Sequence, residues 1–304
     1  MDNHRGFFLI LVAAVVAALA AILVQFGVDA QLGTLTAGNF RDETLARQEA
    51  KSVLAGVKVA IASDRWRDPG LIPLIAEKVC QEGTCDGVIS NEEGKLPVNR
   101  LVGAGMSGIE ILRRYWDLRG GSPGSFHALV DWIDADERTV TGESEASFYG
   151  KLGVLPGNRP LQSIFELSRI PYVKEEVERL KKIKAPPLRR DLTTWGDGRV
   201  NLLTASRDVL MALSEGMTPA LADRILAARE LGQIQTMGDF NRVLHVPAAV
   251  FQDLARWGTT RSRTFCVQIR VTYRKARAGL WAVLRRTGLV VRILYFREGS
   301  WQPA

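Results

Sequence analysis

Cysteine is scarce, three in 304 residues, which excludes a disulfide-dense scaffold and a four-cysteine zinc ribbon. Histidine is as scarce: His4, His127 and His245 stand far apart, so a three-histidine metal site has no support. No G-x-x-x-x-G-K-[ST] loop is present to cradle a nucleotide phosphate, and no histidine stands near a cysteine that it could activate. With these absences an enzyme is not expected. Charge of one sign is not in large excess either. Forty Lys and Arg against 33 Asp and Glu leave a net +7, which admits nucleic acid or anionic lipid without requiring them. With 46% hydrophobic and 24% charged residues the chain has a globular composition, long enough for one large domain or two ordinary ones.

What the chain does have is one long apolar run, Phe7 to Val24, behind a short flank carrying Arg5. Eighteen residues at helical rise span roughly 27 Å, enough for a bilayer core. A cleaved secretory signal has a shorter apolar stretch and then a small-residue cleavage site. Here the following residues still read as helix, with Leu45, Val53, Val57 and Ile61 at helical spacing among charges, despite Gly27, Gly33, Gly38 and Gly56. A membrane helix continuing directly into an amphipathic helix is the reading favoured over a secretory signal.

Asp68-Pro69-Gly70 marks a turn, after which Cys80 and Cys85 bracket a Gly-containing turn. They read as a local disulfide in an oxidising compartment and as two thiols in a reducing one. Residues 104–258 are helix-rich: helices are expected at 126–134, 160–170 and 174–183. Ser206 is placed as an N-cap, Thr218-Pro219 opens a further helix and Gly232 ends it. From Thr264 the period changes to two, with Phe265, Val267, Ile269, Val271 and Tyr273 alternating against Cys266, Gln268, Arg270, Thr272 and Arg274. This is a half-buried antiparallel strand with Cys266 on its polar side. Leu280–Leu284 and Leu289–Phe296 supply two more.

Two constellations carry possible chemistry. Asp131, Asp134 and Asp136, with Glu137, Glu143 and Glu145 downstream, offer the hard oxygen ligands that Ca²⁺ takes, though not at EF-hand spacing. A solvated acidic loop and a carboxylate pair for catalysis are the competing readings. Glu215 to Leu226, with Gly216 and Thr218-Pro219 at its turn, resembles a helix-hairpin-helix. That motif serves DNA phosphate binding or compact helix packing. Asp223 and Glu215 beside the turn favour packing.

Several segments, in order, resemble the K-type minor pseudopilins of type II secretion. Gly6-Phe7 is similar to the prepilin cleavage junction, and Leu11 stands where most pilins carry Glu, as in the K-type branch. Glu93-Gly94-Lys95-Leu96, Leu129-Val130-Asp131-Trp132-Ile133-Asp134-Ala135-Asp136, Glu145 with Phe148-Tyr149, Asn158-Arg159-Pro160-Leu161 and Gly198-Arg199-Val200-Asn201 follow in the family's sequence. Ala146-Ser147 departs from the family's acidic pair.

The resemblance implies an α+β fold: a pilin-like long helix packed on an antiparallel sheet, with a large all-α, helix-hairpin-helix or SAM-like domain inserted between strands. It implies a leader at 1–6, a transmembrane helix at 7–26, the helix continuation and first strands at 27–103, the insert at 104–258 and closing strands at 259–304. A prepilin peptidase would cut between Gly6 and Phe7, and Phe7 would be methylated. The expected protein is non-enzymatic, single-pass in the bacterial inner membrane, with its C-terminal domain in the periplasm. It would sit at the pseudopilus tip with I-type and J-type minor pseudopilins and the major pseudopilin. The candidate ligands for Ca²⁺ are Asp134, Asp136 and Glu145, and no nucleic acid is expected. The alternative is a membrane-anchored helix-hairpin-helix protein of the DNA-uptake type.

Overall fold

The computed structural model describes residues 3–66, 70–80, 83–139 and 144–299; the turn expected at Asp68-Pro69 and the acid Glu143 lie outside the described residues. Along the chain run α1 (Asn3–Ala62), α2 (Leu71–Val79), β1 (Thr84–Asn91), β2 (Leu96–Pro97), α3 (Val98–Gly103), α4 (Met106–Leu118), α5 (Pro123–Ile133), α6 (Glu145–Gly150) and α7 (Val173–Lys182). There follow β3 (Leu192–Thr193), β4 (Val200–Asn201), α8 (Arg207–Ala212), α9 (Pro219–Glu230), α10 (Met237–Arg242), α11 (Ala248–Trp257), β5 (Gly258–Thr259), β6 (Thr264–Tyr273), β7 (Ala276–Thr287) and β8 (Val290–Gly299). The chain divides into two compact units. One comprises 1–88, 267–282 and 288–304; the other comprises 89–266 and 283–287. The chain thus leaves the first unit within β1 and returns to it within β6.

In the first unit α1 is one helix of 60 residues, about 90 Å long. Its glycines do not break it, because helix propensity is a weak prior against a continuous apolar or amphipathic face. The first half exposes Val12, Leu19, Leu23 and Phe26, as a lipid-facing segment does. From Ala46 onward the helix buries one stripe, Ala46, Ala50, Val53, Leu54, Val57 and Ile61, at the spacing of a single helical face. Gly56 lies in that stretch, and a Cβ there would come within 2.7 Å of Ile75 Cγ2, so its bare Cα lets α2 approach α1.

The sheet has the order β1-β6-β7-β8. Gly87 lies against Gln268 and Ile269, and Gly83 against Thr272. As β1 advances β6 therefore recedes, and the pair is antiparallel. Two-residue turns with a left-handed residue, Arg274 at φ 51° and Gly288 at φ 62°, join β6 to β7 and β7 to β8 as hairpins. Along β6 the expected alternation holds from Val267 to Tyr273. At its start, Thr264, Phe265, Cys266 and Val267 are all buried. Cys266 is thus not on a solvated face as expected, because both faces of the strand are covered there. β7 begins and ends beyond the expected 280–284, and β8 starts at Val290 and runs past the expected end at 296.

The second unit is built around a continuous apolar core drawn from α3, α4, α5, α7, α8, α9 and α11. Trp116 and Tyr115 are its largest buried side chains. The Trp116 indole donates to Ser125 Oγ at 2.8 Å, and the Tyr115 hydroxyl donates to Asp191 Oδ2 at 3.2 Å, so neither polar tip is left unpaired. Gly108 is obligatory for the α3–α4 crossing, since a Cβ would fall 2.0 Å from the Leu101 carbonyl oxygen.

The helical unit takes in Leu96, Val98 and Leu101, which are fully buried in its core. Among its helices it carries two parallel ladders of two residues each, β2 with β3 and β4 with β5. One expectation is corrected. Residues 160–170 form no α-helix. A 3₁₀ turn spans Ile164–Arg169, opened by a capping box in which Glu166 accepts from the backbone of Ser163. The caps at Ser206 and Thr218 are as expected, accepting from Val209 N and Leu221 N. Gly232 takes φ 66° after the last turn of α9, which relieves the steric cost a Cβ would carry.

A network of buried polar side chains closes the second unit where the chain enters and leaves it. Asn91 Nδ2 donates to Thr204 Oγ1 and to Ser262 Oγ, each at 2.7 Å, and Asn201 Nδ2 reaches the same Ser262 Oγ at 2.7 Å.

Candidate functional site: an acidic cluster in the helical unit

The turn after α5 and the first residue of α6 bring three carboxylates together. One oxygen each from Asp134, Asp136 and Glu145 lies within 4.8 Å of the others. α5 ends at Ile133, so Asp134 and Asp136 project from the turn that follows. The backbone N–H of Glu145 donates to the Glu137 carbonyl at 3.1 Å, drawing the two segments together. Asp136 Oδ1 accepts from the backbone N–H of Arg138 at 2.8 Å, a side-chain turn that fixes its carboxylate.

Electrostatically the cluster is frustrated without a cation. Burial, then repulsion from Asp136, Glu145 and Asp131, pushes Asp134 up to about 7. Glu145 is also raised: burial dominates, the Asn158 amide opposes it, and Asp131, Asp136 and Glu137 add to it. Glu145 is 1% exposed. Neither of its oxygens, nor Asp134 Oδ1, nor Asn158 Oδ1, has a hydrogen-bond partner among the described residues. Buried oxygens without donors are costly. A hard divalent cation bound by oxygen is what this donor set fits.

Asn158 is the residue that sequence reasoning missed as a candidate ligand. It is held at φ 41°, and its amide nitrogen donates to the Asp136 carbonyl at 2.8 Å. That leaves Oδ1 as the unpaired atom. The left-handed tolerance of Asn ahead of Arg159-Pro160 was the available signal. Asp131 stands apart from the ligand set. It accepts the Tyr149 hydroxyl at 2.8 Å, and burial, then Asp131, raises the pKa of that phenol. Trp132 packs edge-on to Tyr149, which packs edge-on to Phe148.

Two glycine spacings associated with catalysis occur in this unit, neither of them among the sequence expectations, and both serve packing. Gly103-Ala104-Gly105-Met106-Ser107-Gly108 reads G-x-G-x-x-G, but it begins at the last residue of the short α3 rather than after a strand, so it lacks the setting of a dinucleotide fold. Gly120-Gly121-Ser122-Pro123-Gly124 reads G-x-S-x-G. Its Ser122 is the N-cap of α5, accepting from Ser125 N and donating to Ser125 Oγ, between two helices rather than at a strand-to-helix elbow.

The hairpin at Gly216 is likewise structural in form. Arg207 pairs with Asp223 at 2.6 Å, Arg224 donates to the Leu244 carbonyl at 2.8 Å and Arg229 to the Ala205 carbonyl at 2.6 Å. The cations beside the hairpin are therefore already engaged within the fold. A Cβ on Gly216 would meet Val250 Cγ2 at 2.9 Å. In the first unit Cys80 and Cys85 are joined by a disulfide, with Cα atoms 6.4 Å apart. Gly6 and Phe7 both lie within α1.

The fold defines a class: a subunit with a long N-terminal helix apolar enough to cross a membrane, an antiparallel sheet, and a helical unit inserted between its strands. Residues 200–255 match the family model described as Type II secretion system (T2SS), protein K. Among solved structures, a chain of the GspK–GspI–GspJ complex from the type 2 secretion system of enterotoxigenic Escherichia coli has a similar fold. Its TM-score is 0.63 at 13% sequence identity, covering 88% of this chain and 99% of that one. No curated protein matches by sequence. The family match and the shared fold together support a K-type minor pseudopilin of type II secretion.

Proposed function

We propose that the chain is a non-enzymatic tip subunit of a type II secretion pseudopilus. In this role it is held in the bacterial inner membrane by the first half of α1, with the rest of the chain in the periplasm. A prepilin peptidase cuts between Gly6 and Phe7, and Phe7 is then methylated. The subunit joins I-type and J-type minor pseudopilins and precedes the major pseudopilin, so that it starts the assembly used for export across the outer membrane. The observation that carries this reading is the similarity of fold over 88% of the chain to a member of the GspK–GspI–GspJ complex, together with the family match at 200–255. An uncharged Leu11 near the start of the mature helix suits a first subunit, which has no preceding amine to neutralise.

Within this role the acidic cluster binds Ca²⁺ through Asp134, Asp136 and Glu145, with Asn158 supplying a further oxygen. The ion stabilises the turn between α5 and α6 and carries no chemistry. The DNA-binding alternative is disfavoured by the engaged arginines of the hairpin. Deletion of the gene in its own bacterium tests the proposal. Exported proteins should accumulate in the periplasm and complementation should restore their release. Normal secretion in the deletion strain would refute it.

A further inference from the structure

The second unit holds a cavity of about 200 Å³ that the acidic cluster does not share. It is lined by Glu93, Asp197, Arg199, Thr259, Arg261 and Arg263. Three cations and two carboxylates give its lining a formal charge of +1. None of the three arginines forms an ion pair with a carboxylate among the described residues. This contrasts with Arg119, Arg179 and Arg207 of the same unit, each paired with an acid. Each unpaired guanidinium retains a planar fork of donors that matches a carboxylate or phosphate.

The backbone that carries these arginines is fixed from several sides. Glu93, 3% exposed, accepts from the backbone N–H of Arg263 at 3.0 Å and of Thr264 at 2.8 Å. The Arg263 carbonyl accepts from Arg286 N at 2.7 Å. Thr259 Oγ1 accepts from Arg261 N at 3.2 Å, and Asp197 Oδ1 from Arg199 N at 3.1 Å. Ser262, between the two arginines, is anchored by Asn91 and Asn201. The parallel ladder pairing Val200 with Gly258 and Asn201 with Thr259 holds the two segments in register. A fixed backbone under exposed, unpaired cations is an arrangement that can recognise an anion with only the side chains left to order.

We propose that this cavity binds one oxyanion, a carboxylate or a phosphate, through Arg199, Arg261 and Arg263. The volume suits a single anionic group rather than a nucleotide or a cofactor. The inference stands apart from the secretion reading and survives or fails without it. Burial pushes the Glu93 carboxyl up, against the Thr264 backbone and hydroxyl and the Arg263 backbone, which lower it.

The test is calorimetric titration of the full chain in non-ionic detergent, with inorganic phosphate and with a tetraglutamate peptide as separate probes. One-site saturable binding of at least one probe is expected, and the tighter probe identifies the source of the oxyanion. R199Q/R261Q/R263Q should weaken it at least about tenfold. K174Q/K182Q/K184Q, which removes equal charge from an exposed stretch elsewhere in the unit, should leave it unchanged. Asp197→Asn keeps the oxygen that accepts from Arg199 N and removes one negative charge, so it should tighten binding about two- to fivefold. This variant keeps the test decisive if the triple variant melts early. Absence of saturable binding for both probes, equal weakening in the control triple, or no tightening in Asp197→Asn would each overturn the proposal.

Discussion

Calcium and protons should compete for the same oxygens at Asp134, and the competition fixes how stability responds to pH. The Asp134 carboxyl moves from an ordinary 3.8 up to about 7. A carboxyl raised on folding favours the neutral form. Its contribution to stability is complete below pH 3.8 and is lost as pH rises through about 7. Taken at face value the shift corresponds to about 4 kcal/mol. Asp134 is only partly buried, so solvent screening reduces this to roughly 1–2 kcal/mol. With affinity in the range of extracellular calcium modules, about 10⁻⁴–10⁻³ M, an ion concentration of about 10 mM adds about 1.4–2.7 kcal/mol. In a unit of this size that raises the melting temperature by about 3–11 °C. Thermal unfolding of the full chain in detergent, with chelator or with Ca²⁺, should give that rise at pH 8 and little of it at pH 5. Glu145→Gln removes the most buried charge. It should raise the melting temperature without calcium and abolish the calcium response. A calcium response equal at both pH values, or retained in Glu145→Gln, would refute the reasoning.

Three further outcomes follow from particular residues. Intact-mass analysis of the membrane form should give a chain beginning at Phe7 with one added methyl; a start beyond Gly27 would contradict the retained anchor. Leu129→Ala, at a fully buried position of α5, should cost about 2–5 kcal/mol in denaturant unfolding; a loss under about 1 kcal/mol would mean that the core is not packed as described. The full chain should not bind duplex DNA at physiological salt, because Arg207, Arg224 and Arg229 are engaged internally. Micromolar binding that falls steeply with salt and is lost in Gly216→Val would contradict this.

What was legible in the sequence was whatever depends on local period. The long apolar helix, the alternation from Val267 to Tyr273 and the caps at Ser206 and Thr218 all follow from residues within a few positions of one another. What was not legible depends on distant partners. β1, with its Gly87, becomes a strand because β6 lies beside it, some 180 residues away by the Asp86–Arg270 pairing. Cys266 looks solvated by alternation, and only tertiary cover buries it. The 160–170 stretch has helical spacing of apolar residues, yet Glu166 turns back to cap Ser163 and tightens the turn to 3₁₀. At the acidic cluster, the carboxylate types and their order were visible. That Glu145 is buried without a donor, and that Asn158 joins it from outside the acidic run, needed the folded chain.

The most direct test of the central claim is native mass spectrometry of the full chain co-expressed in detergent with its I-type and J-type neighbours. The account predicts a 1:1:1 complex held largely by apolar burial and therefore retained at about 0.5 M salt. Failure to form a ternary complex with both partners, while each folds and the two associate with one another, would contradict it.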